Sequence, residues 1–97
     1  MADLFISVYR VAGSTAFGSP QQEEKVAIGA GSLTSSAISG ARGRRIVRLY
    51  ADADCFVTWG SSPTALTDGT EGRPMGADNP EYWNMPVGTI IAVINRV

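Results

Sequence analysis

The feature that most constrains the fold is the run RRIVRLYADADCFVTWG at residues 44–60. β-Branched and aromatic residues are concentrated in two short segments of this run, Arg45 to Ala51 and Cys55 to Gly60, and such segments are typical of strands. The three residues between them, Asp52 to Asp54, suit a short acidic turn. We therefore predict a β-hairpin at this point, followed later by a final strand in GTIIAVINRV.

The rest of the chain shows the same alternation with a period of two, and Gly, Pro, Ser and Asp separate its apolar runs. Roughly six to eight short strands predict one all-β domain over residues 1–97, a compact β-sandwich or jelly roll, with a small open β-barrel as the alternative. Long loops are expected at residues 12–24 and 61–80. The other strands are expected at Leu4 to Val11, Lys25 to Ala30, Leu33 to Ile38, near Met75, and at Glu81 to Met85.

The closing run, from Thr89 to Val97, carries apolar side chains on both of its alternating faces. This pattern predicts a strand that is covered on both sides, by a second sheet or by another subunit. The core candidates in residues 44–60 are Ile46, Val47, Leu49, Val57 and Trp59.

The chemistry that the chain lacks excludes most enzymes. Histidine is absent, which removes the usual general base and the commonest metal ligand. The single cysteine, Cys55, lies in a predicted strand, where burial would raise the pKa of its thiol. A weak calcium alternative exists in the turn acids, but the Gly and distal Glu of a calcium loop are missing. We predict no catalytic residue, no cofactor and no metal site; the acids considered are Asp52, Asp54, Asp68, Glu71 and Asp78.

A basic group, Arg42, Arg44, Arg45 and Arg48, lies at the start of the fourth predicted strand. The period of two places Arg44, Arg48 and Tyr50 on one face. Such a face suits a solvated strand edge, an acidic protein partner, or nucleic acid that stacks on the tyrosine. Because the net charge is −1 and no other part of the chain is basic, we expect no direct nucleic-acid binding.

No segment approaches the ~20 apolar residues of a membrane-spanning helix. The apolar run in MADLFISVYR is too short for a signal peptide. We therefore expect no membrane association and synthesis in a cytoplasm.

Four segments carry a resemblance to a known group of proteins: SSAI (35–38), RIVRLYADADCFVTWGSSPTA (45–65), NPEYW (79–83) and GTIIAVI (88–94). Their order and spacing resemble those of small structural proteins encoded among the head genes of tailed bacteriophages. In that family an arginine-flanked strand leads into a D-C-x-V strand ending in Gly. A proline-containing loop and a P-E-Y or P-E-W turn then precede the closing strand. The resemblance covers about two thirds of the chain, residues 33–97.

The resemblance implies a virion component of the capsid decoration (cement) type, bound to the outer surface of the major capsid protein shell. Such proteins are small, β-rich and often trimeric, so a homotrimer is implied. Each copy would span neighbouring capsid subunits and stabilise the assembled shell against the pressure of packaged DNA. Trp83 suits the protein core and an interface equally, since both favour large apolar area. The residues expected at the partner interface are Phe17, Arg42, Arg44, Arg45, Tyr82 and Trp83.

Three other functions remain open from the sequence. A head-to-tail, tail or fibre-base protein would share the β-fold, and its copy number per particle would be lower. A carbohydrate-binding module would use Trp59 and Trp83 as exposed sugar platforms. A DNA-binding accessory protein would lose affinity steeply as salt is raised.

Overall fold

The computed structural model describes residues 2–10, 21–40, 43–65 and 72–96, and these ranges contain eight β-strands. No helix long and apolar enough to cross a membrane is found within them. The strands are β1 (Asp3–Arg10), β2 (Gln22–Ala27), β3 (Leu33–Thr34), β4 (Arg44–Ala51), β5 (Cys55–Gly60), β6 (Arg73–Met75), β7 (Glu81–Pro86) and β8 (Ile90–Asn95).

The strands form two antiparallel sheets that pack face to face. The front sheet has the order β2-β1-β4-β7 and the back sheet the order β3-β8-β5-β6. One hydrophobic cluster contains buried side chains from both sheets, so the core lies between them. The all-β sandwich and its number of strands are confirmed, and the arrangement in two separate sheets differs from the open barrel considered as the alternative.

The strand order is that of a circularly permuted jelly roll. The first strand of this chain, β1, occupies the position that the last strand has in a jelly roll. If the strands are taken in the order β2 to β8 and then β1, they pair as the two arms of one long hairpin. The antiparallel pairs, from its closed end to its open end, are β5–β6, β4–β7, β3–β8 and β2–β1. Wrapping such a hairpin into two sheets produces the jelly roll. The described ends of the chain lie at the same end of the sandwich, because Asp52 N donates to Asp3 O at 3.2 Å and Arg96 N donates to Asp54 O at 3.3 Å.

The core is built from alternate residues of the central strands. Val47, Leu49 and Val57 are buried as predicted, and Trp59 packs against the core while half-buried. The prediction for Ile46 is wrong, since Val47 takes the inward position and Ile46 points to the opposite side of β4. The largest fully buried side chains are Leu4, Val8, Val47, Leu49, Val57, Met75, Met85, Ile91 and Val93.

The predicted hairpin between β4 and β5 is also wrong. β4 pairs with β1 and β7 in the front sheet, whereas β5 pairs with β8 and β6 in the back sheet. Residues 52–54 therefore carry the chain from one sheet to the other. Asp52 Oδ1 accepts a hydrogen bond from Asp3 N at 2.7 Å, and Asp54 Oδ1 accepts one from Ala77 N at 2.9 Å. Carboxylates that satisfy backbone N–H groups serve a crossing between sheets as well as a hairpin turn.

The strand limits differ from expectation around β2 and β3. β2 begins at Gln22, so the last residues of the predicted loop 12–24 belong to a strand, and residues 12–20 lie outside the described ranges. β3 ends at Thr34 rather than at Ile38. The following backbone is held by side chains of β2 instead of a strand: Ser36 N donates to Glu24 Oε1 at 3.0 Å, and Ser39 N donates to Gln22 Oε1 at 3.0 Å.

The closing strand β8 is covered on both sides, as its sequence predicts. Ile91 and Val93 belong to the core between the sheets. On the other side of β8, Ala92 and Ile94 form a second cluster with Ala65, and Phe56 packs against it. Ala65 N donates to Ser32 Oγ at 3.0 Å, which holds this cover in place. The chain itself thus supplies the outer cover, from the beginning of the predicted loop 61–80.

Candidate functional site

The candidate site is the outer face of the front sheet, which we call the front face. It consists of the side chains of β1, β2, β4 and β7 that point away from the back sheet. Alternation assigns them, because their neighbours Leu4, Val47 and Met85 are buried in the core. Phe5 is 38% exposed and Tyr82 is 55% exposed. The front face includes Phe5, Ser7, Glu23, Lys25, Arg44, Arg48, Tyr50 and Tyr82.

The strand register arranges this face in rows. In one row Phe5 lies between Lys25 and Tyr50. In the next row Ser7 lies between Glu23 and Arg48, and Tyr82 continues the row beyond Arg48.

The small side chain of Ser7 leaves a shallow depression in the front face. Phe5, Glu23, Arg48 and Tyr50 line the depression together with Ser7. Broad, shallow surfaces of this kind suit a protein partner, whereas small substrates favour concave pockets.

Tyr50 is held firmly within the front face. Its ring centroid lies 6.2 Å from that of Phe5, and Arg48 Cζ lies 5.3 Å from the Tyr50 ring centroid. The Tyr50 hydroxyl donates to Asp78 Oδ1 at 2.6 Å. This hydrogen bond is the main cause that raises the pKa of Tyr50 above its ordinary value of 10.0, so the hydroxyl keeps its proton at neutral pH.

The structure separates the two predicted arginines that it describes. Arg44 is exposed on the front face, whereas Arg45 is half-buried on the opposite side of β4. Arg45 Nε donates to Gln21 Oε1 at 3.1 Å. A Cβ at Gly40, whose φ is +139°, would lie 2.6 Å from Arg45 Nη2, so this guanidinium packs against glycine backbone. The other two predicted interface residues, Phe17 and Arg42, lie outside the described ranges.

Tyr82 and Trp83 lie on opposite faces of β7, as the alternation predicts. Trp83 is half-buried and packs against Trp59 of the back sheet, with ring centroids 5.1 Å apart and planes tilted by 51°. Arg73 Cζ lies 4.6 Å from the Trp83 ring centroid, and both Arg73 Nε and Trp83 Nε1 donate to Glu81 Oε1, at 3.2 and 3.0 Å. These four side chains join the two sheets at one side of the sandwich.

The packing of the two tryptophans weakens the hypothesis of a carbohydrate-binding module. Each indole covers part of the other, and their planes are tilted rather than aligned as one flat sugar platform. The depression beside Trp59 is shallow and is lined mainly by residues 58–64.

The one thiol of the chain is inaccessible. Cys55 is fully buried, and burial is the main cause that raises the pKa of its thiol to about 11, with Asp54 adding to the effect. At neutral pH the group is therefore a protonated thiol, which is a poor nucleophile.

The acids of the calcium alternative that fall within the described ranges have other partners. Asp52 and Asp54 accept backbone N–H groups, and Asp78 accepts the Tyr50 hydroxyl. Asp68 and Glu71 lie outside these ranges. Among the residues that the structure describes, no group of three or more His, Cys, Asp or Glu side chains could hold a metal ion.

Sequence reasoning named only part of the front face. It recognised Arg44, Arg48 and Tyr50 as one side of β4, and it did not single out the side chains that β1 and β2 add. The signal in the sequence was the alternation along β1, which places aliphatic side chains on one face of the strand and Phe5 and Ser7 on the other. The pairing of β1 with both β2 and β4, which assembles the rows, depends on contacts between distant parts of the chain.

Comparisons of this chain with protein-family models, with curated proteins and with solved structures find no match. Inference about its function therefore depends on its residues and on the geometry of the front face.

Proposed function

We propose that this chain is a structural protein of a tailed-bacteriophage particle, a capsid decoration (cement) protein that binds the outer surface of the assembled major capsid protein shell. One observation carries the proposal. The arginine-flanked strand and the P-E-Y segment, which are far apart in the sequence and both belong to the phage resemblance, are neighbouring strands β4 and β7.

The register of this pair places three suitable side chains on the front face. Arg48 lies opposite Tyr82, and Arg44 lies opposite Pro86 at the end of the same pair. Arginine and tyrosine are enriched at protein interfaces, because each combines a planar contact surface with hydrogen-bond donors. Arg44 is exposed and Tyr82 is 55% exposed, so both are available to a partner.

The chemistry of this strip favours an acidic protein surface. A guanidinium can donate two parallel hydrogen bonds to a carboxylate, and a tyrosine ring beside it adds apolar contact area. A protein that binds the assembled lattice but not loose subunits stabilises the lattice by mass action. The proposed role is thus mechanical and requires no reaction.

The test is co-sedimentation with capsids that lack this chain, in matured, expanded form and in unexpanded form. The proposal expects saturation on expanded shells at a copy number commensurate with the capsid lattice, and little binding to unexpanded shells. A dozen or fewer bound copies would overturn it in favour of a vertex or tail protein. Absence of binding to both forms would overturn the proposal that the chain binds the capsid.

A pair of charge reversals locates the contact. We expect Arg44→Glu to weaken binding to expanded shells at least about tenfold, because like charges across an interface are strongly unfavourable. Arg96→Glu makes the same change in charge at an exposed position outside the front face and should bind as the unmodified chain does. Equal losses in both variants would show that net charge, not the β4–β7 strip, governs binding.

A further inference from the structure

We infer that the front face is also a self-association surface, on which a second copy of this chain packs face to face across β2, β1 and β4. The two copies are related by a two-fold axis that runs along β1 in the plane of the contact. This inference does not depend on the proposed function, since it concerns the purified chain alone.

In the row of Ser7, the charge pattern about β1 is self-complementary. Glu23 and Arg48 flank Ser7 on opposite sides, at matching positions of β2 and β4. A two-fold axis along β1 exchanges the β2 side of one copy with the β4 side of the other. Glu23 of each copy therefore lies opposite Arg48 of the second copy, which gives two ion pairs of the same kind.

The adjacent row is complementary under the same axis. Lys25 and Tyr50 flank Phe5 at matching positions of β2 and β4. The exchange brings the Lys25 ammonium over the Tyr50 ring of the second copy, an arrangement that favours a cation–π contact. Asp78, whose Oδ1 lies 2.6 Å from the Tyr50 hydroxyl oxygen, adds a carboxylate on the same side.

The residues on the axis allow the two faces to approach. Phe5 meets its own counterpart, and its exposed fraction of 38% leaves ring surface for that contact. Ser7 is small and lies in a depression lined by Phe5, Glu23, Arg48 and Tyr50. In these two rows the axis therefore carries one aromatic ring, which can pack on its counterpart, and one small side chain.

The charged groups in these rows have no ionic partner among the residues that the structure describes. Within the described ranges, the ion pair with N–O distance below 4.0 Å is that of Arg73 and Glu81, away from the front face. Glu23 and Lys25 are exposed. Arg48 contacts the Tyr50 ring and forms no ion pair with a described residue. A second copy would satisfy all of these charges together.

The contact is small, because it spans three strands and two central rows. Interfaces that bury less than about 1,200 Å² in total are typically weak, so we expect a dissociation constant above about 1 μM. β7 lies outside the exchanged strands, so Tyr82 stays uncovered. Arg48 belongs both to this contact and to the β4–β7 strip, so dimerisation and the binding of another protein compete for this side chain.

The test is sedimentation equilibrium of the purified chain from about 10 μM to about 1 mM, with Glu23→Arg, Arg48→Glu and the double exchange. Each single reversal places two like-charge contacts in the dimer, since the symmetry doubles every substitution. We expect each to weaken dimerisation at least about tenfold, and the double exchange to restore it to within about threefold. Arg96→Glu, a charge reversal at an exposed position outside the front face, is the control that should dimerise as the unmodified chain does.

Other outcomes would overturn the inference. A chain that stays monomeric at about 1 mM has no such surface. A trimeric mass, which the phage resemblance implies, would require a different contact, because a face-to-face pair closes at two copies. Failure of the double exchange to restore association would exclude this axis. A two-fold axis perpendicular to the strands would instead bring Glu23 opposite Lys25 of the second copy. In that dimer, Arg48→Glu would not restore the ion pair that Glu23→Arg removes.

Discussion

The outer faces of the two sheets differ in what covers them. On the back sheet, Ala92 and Ile94 are buried by a cluster that includes Ala65 from the same chain. On the front sheet, Phe5 and Tyr82 remain 38% and 55% exposed. The chain thus covers the outer side of β8 itself, while the front face keeps aromatic and charged groups exposed.

The difference follows from the side chains that each strand presents. β8 is apolar on both sides, and exposing such a strand would cost about 25 cal/mol for each Å² of apolar surface. β1 and β4 alternate between aliphatic residues inside and aromatic or charged residues outside. Tyrosine and arginine tolerate partial exposure, since each has a polar end that water can bind.

The largest expected effect is a difference in unfolding free energy between a variant on the covered face of β8 and a variant on the front face. Ile94→Ala should lower the free energy of unfolding by about 2 to 4 kcal/mol, because it removes a buried side chain from the covered face. Tyr82→Ala should change it by less than about 1 kcal/mol, because its side chain is mostly exposed. Urea unfolding of both variants and the parent chain measures the difference.

Similar losses in these two variants would contradict the comparison. A large loss for Tyr82→Ala would mean that the front face is part of the folded core. A small loss for Ile94→Ala would mean that the cover over β8 contributes little.

A smaller effect is expected where the chain passes from the front sheet to the back sheet. Asp54→Ala leaves Ala77 N without its acceptor, and we expect a loss of about 1 kcal/mol in unfolding free energy. Asp54→Asn retains an Oδ1 acceptor and should lose less than half of that. An Asn variant as unstable as the Ala variant would show that the negative charge, rather than the hydrogen bond, supports this crossing.

The last effect depends on pH and concerns the interior between the sheets. Burial raises the pKa of Cys55 from its ordinary value of 9.0 to about 11, so the unfolded chain loses this proton first as pH rises. The contribution to stability is fully present below pH 9 and is lost as the pH rises towards 11. Thermal unfolding of the parent and of Cys55→Ala, compared from neutral to alkaline pH, measures it.

We expect the stability difference between the parent and Cys55→Ala to be constant below pH 9 and to shrink above it. Ionisation of surface groups affects both chains alike and cancels in this difference. A difference that stays constant into the alkaline range would mean that the thiol is in contact with water.

Much of the fold follows from local patterns. Apart from β2 and β3, the described strands lie close to the predicted runs. The alternation also correctly places Tyr82 and Trp83 on opposite faces of β7. The double-sided apolar pattern of β8 correctly predicts a strand with two covers. These features can be predicted from the period-two alternation of a strand, because they depend only on side chains that are neighbours along the chain.

The pairing of the strands could not be predicted from these local patterns. Asp52 to Asp54 suit a hairpin and a crossing between sheets equally, because both conformations need acceptors for free backbone N–H groups. The partners that decide between them, Asp3 and Ala77, lie far away in the sequence.

The sequence by itself therefore determined the all-β class, most of the inward and outward side chains and the absence of histidine chemistry. Only the tertiary structure decided that β4 lies between β1 and β7, which sets Arg48 between Ser7 and Tyr82. It also decided that Trp83 lies against Trp59. The physical reason is that alternation fixes the face of a residue locally, whereas its neighbours on that face depend on hydrogen-bonded pairing between distant strands.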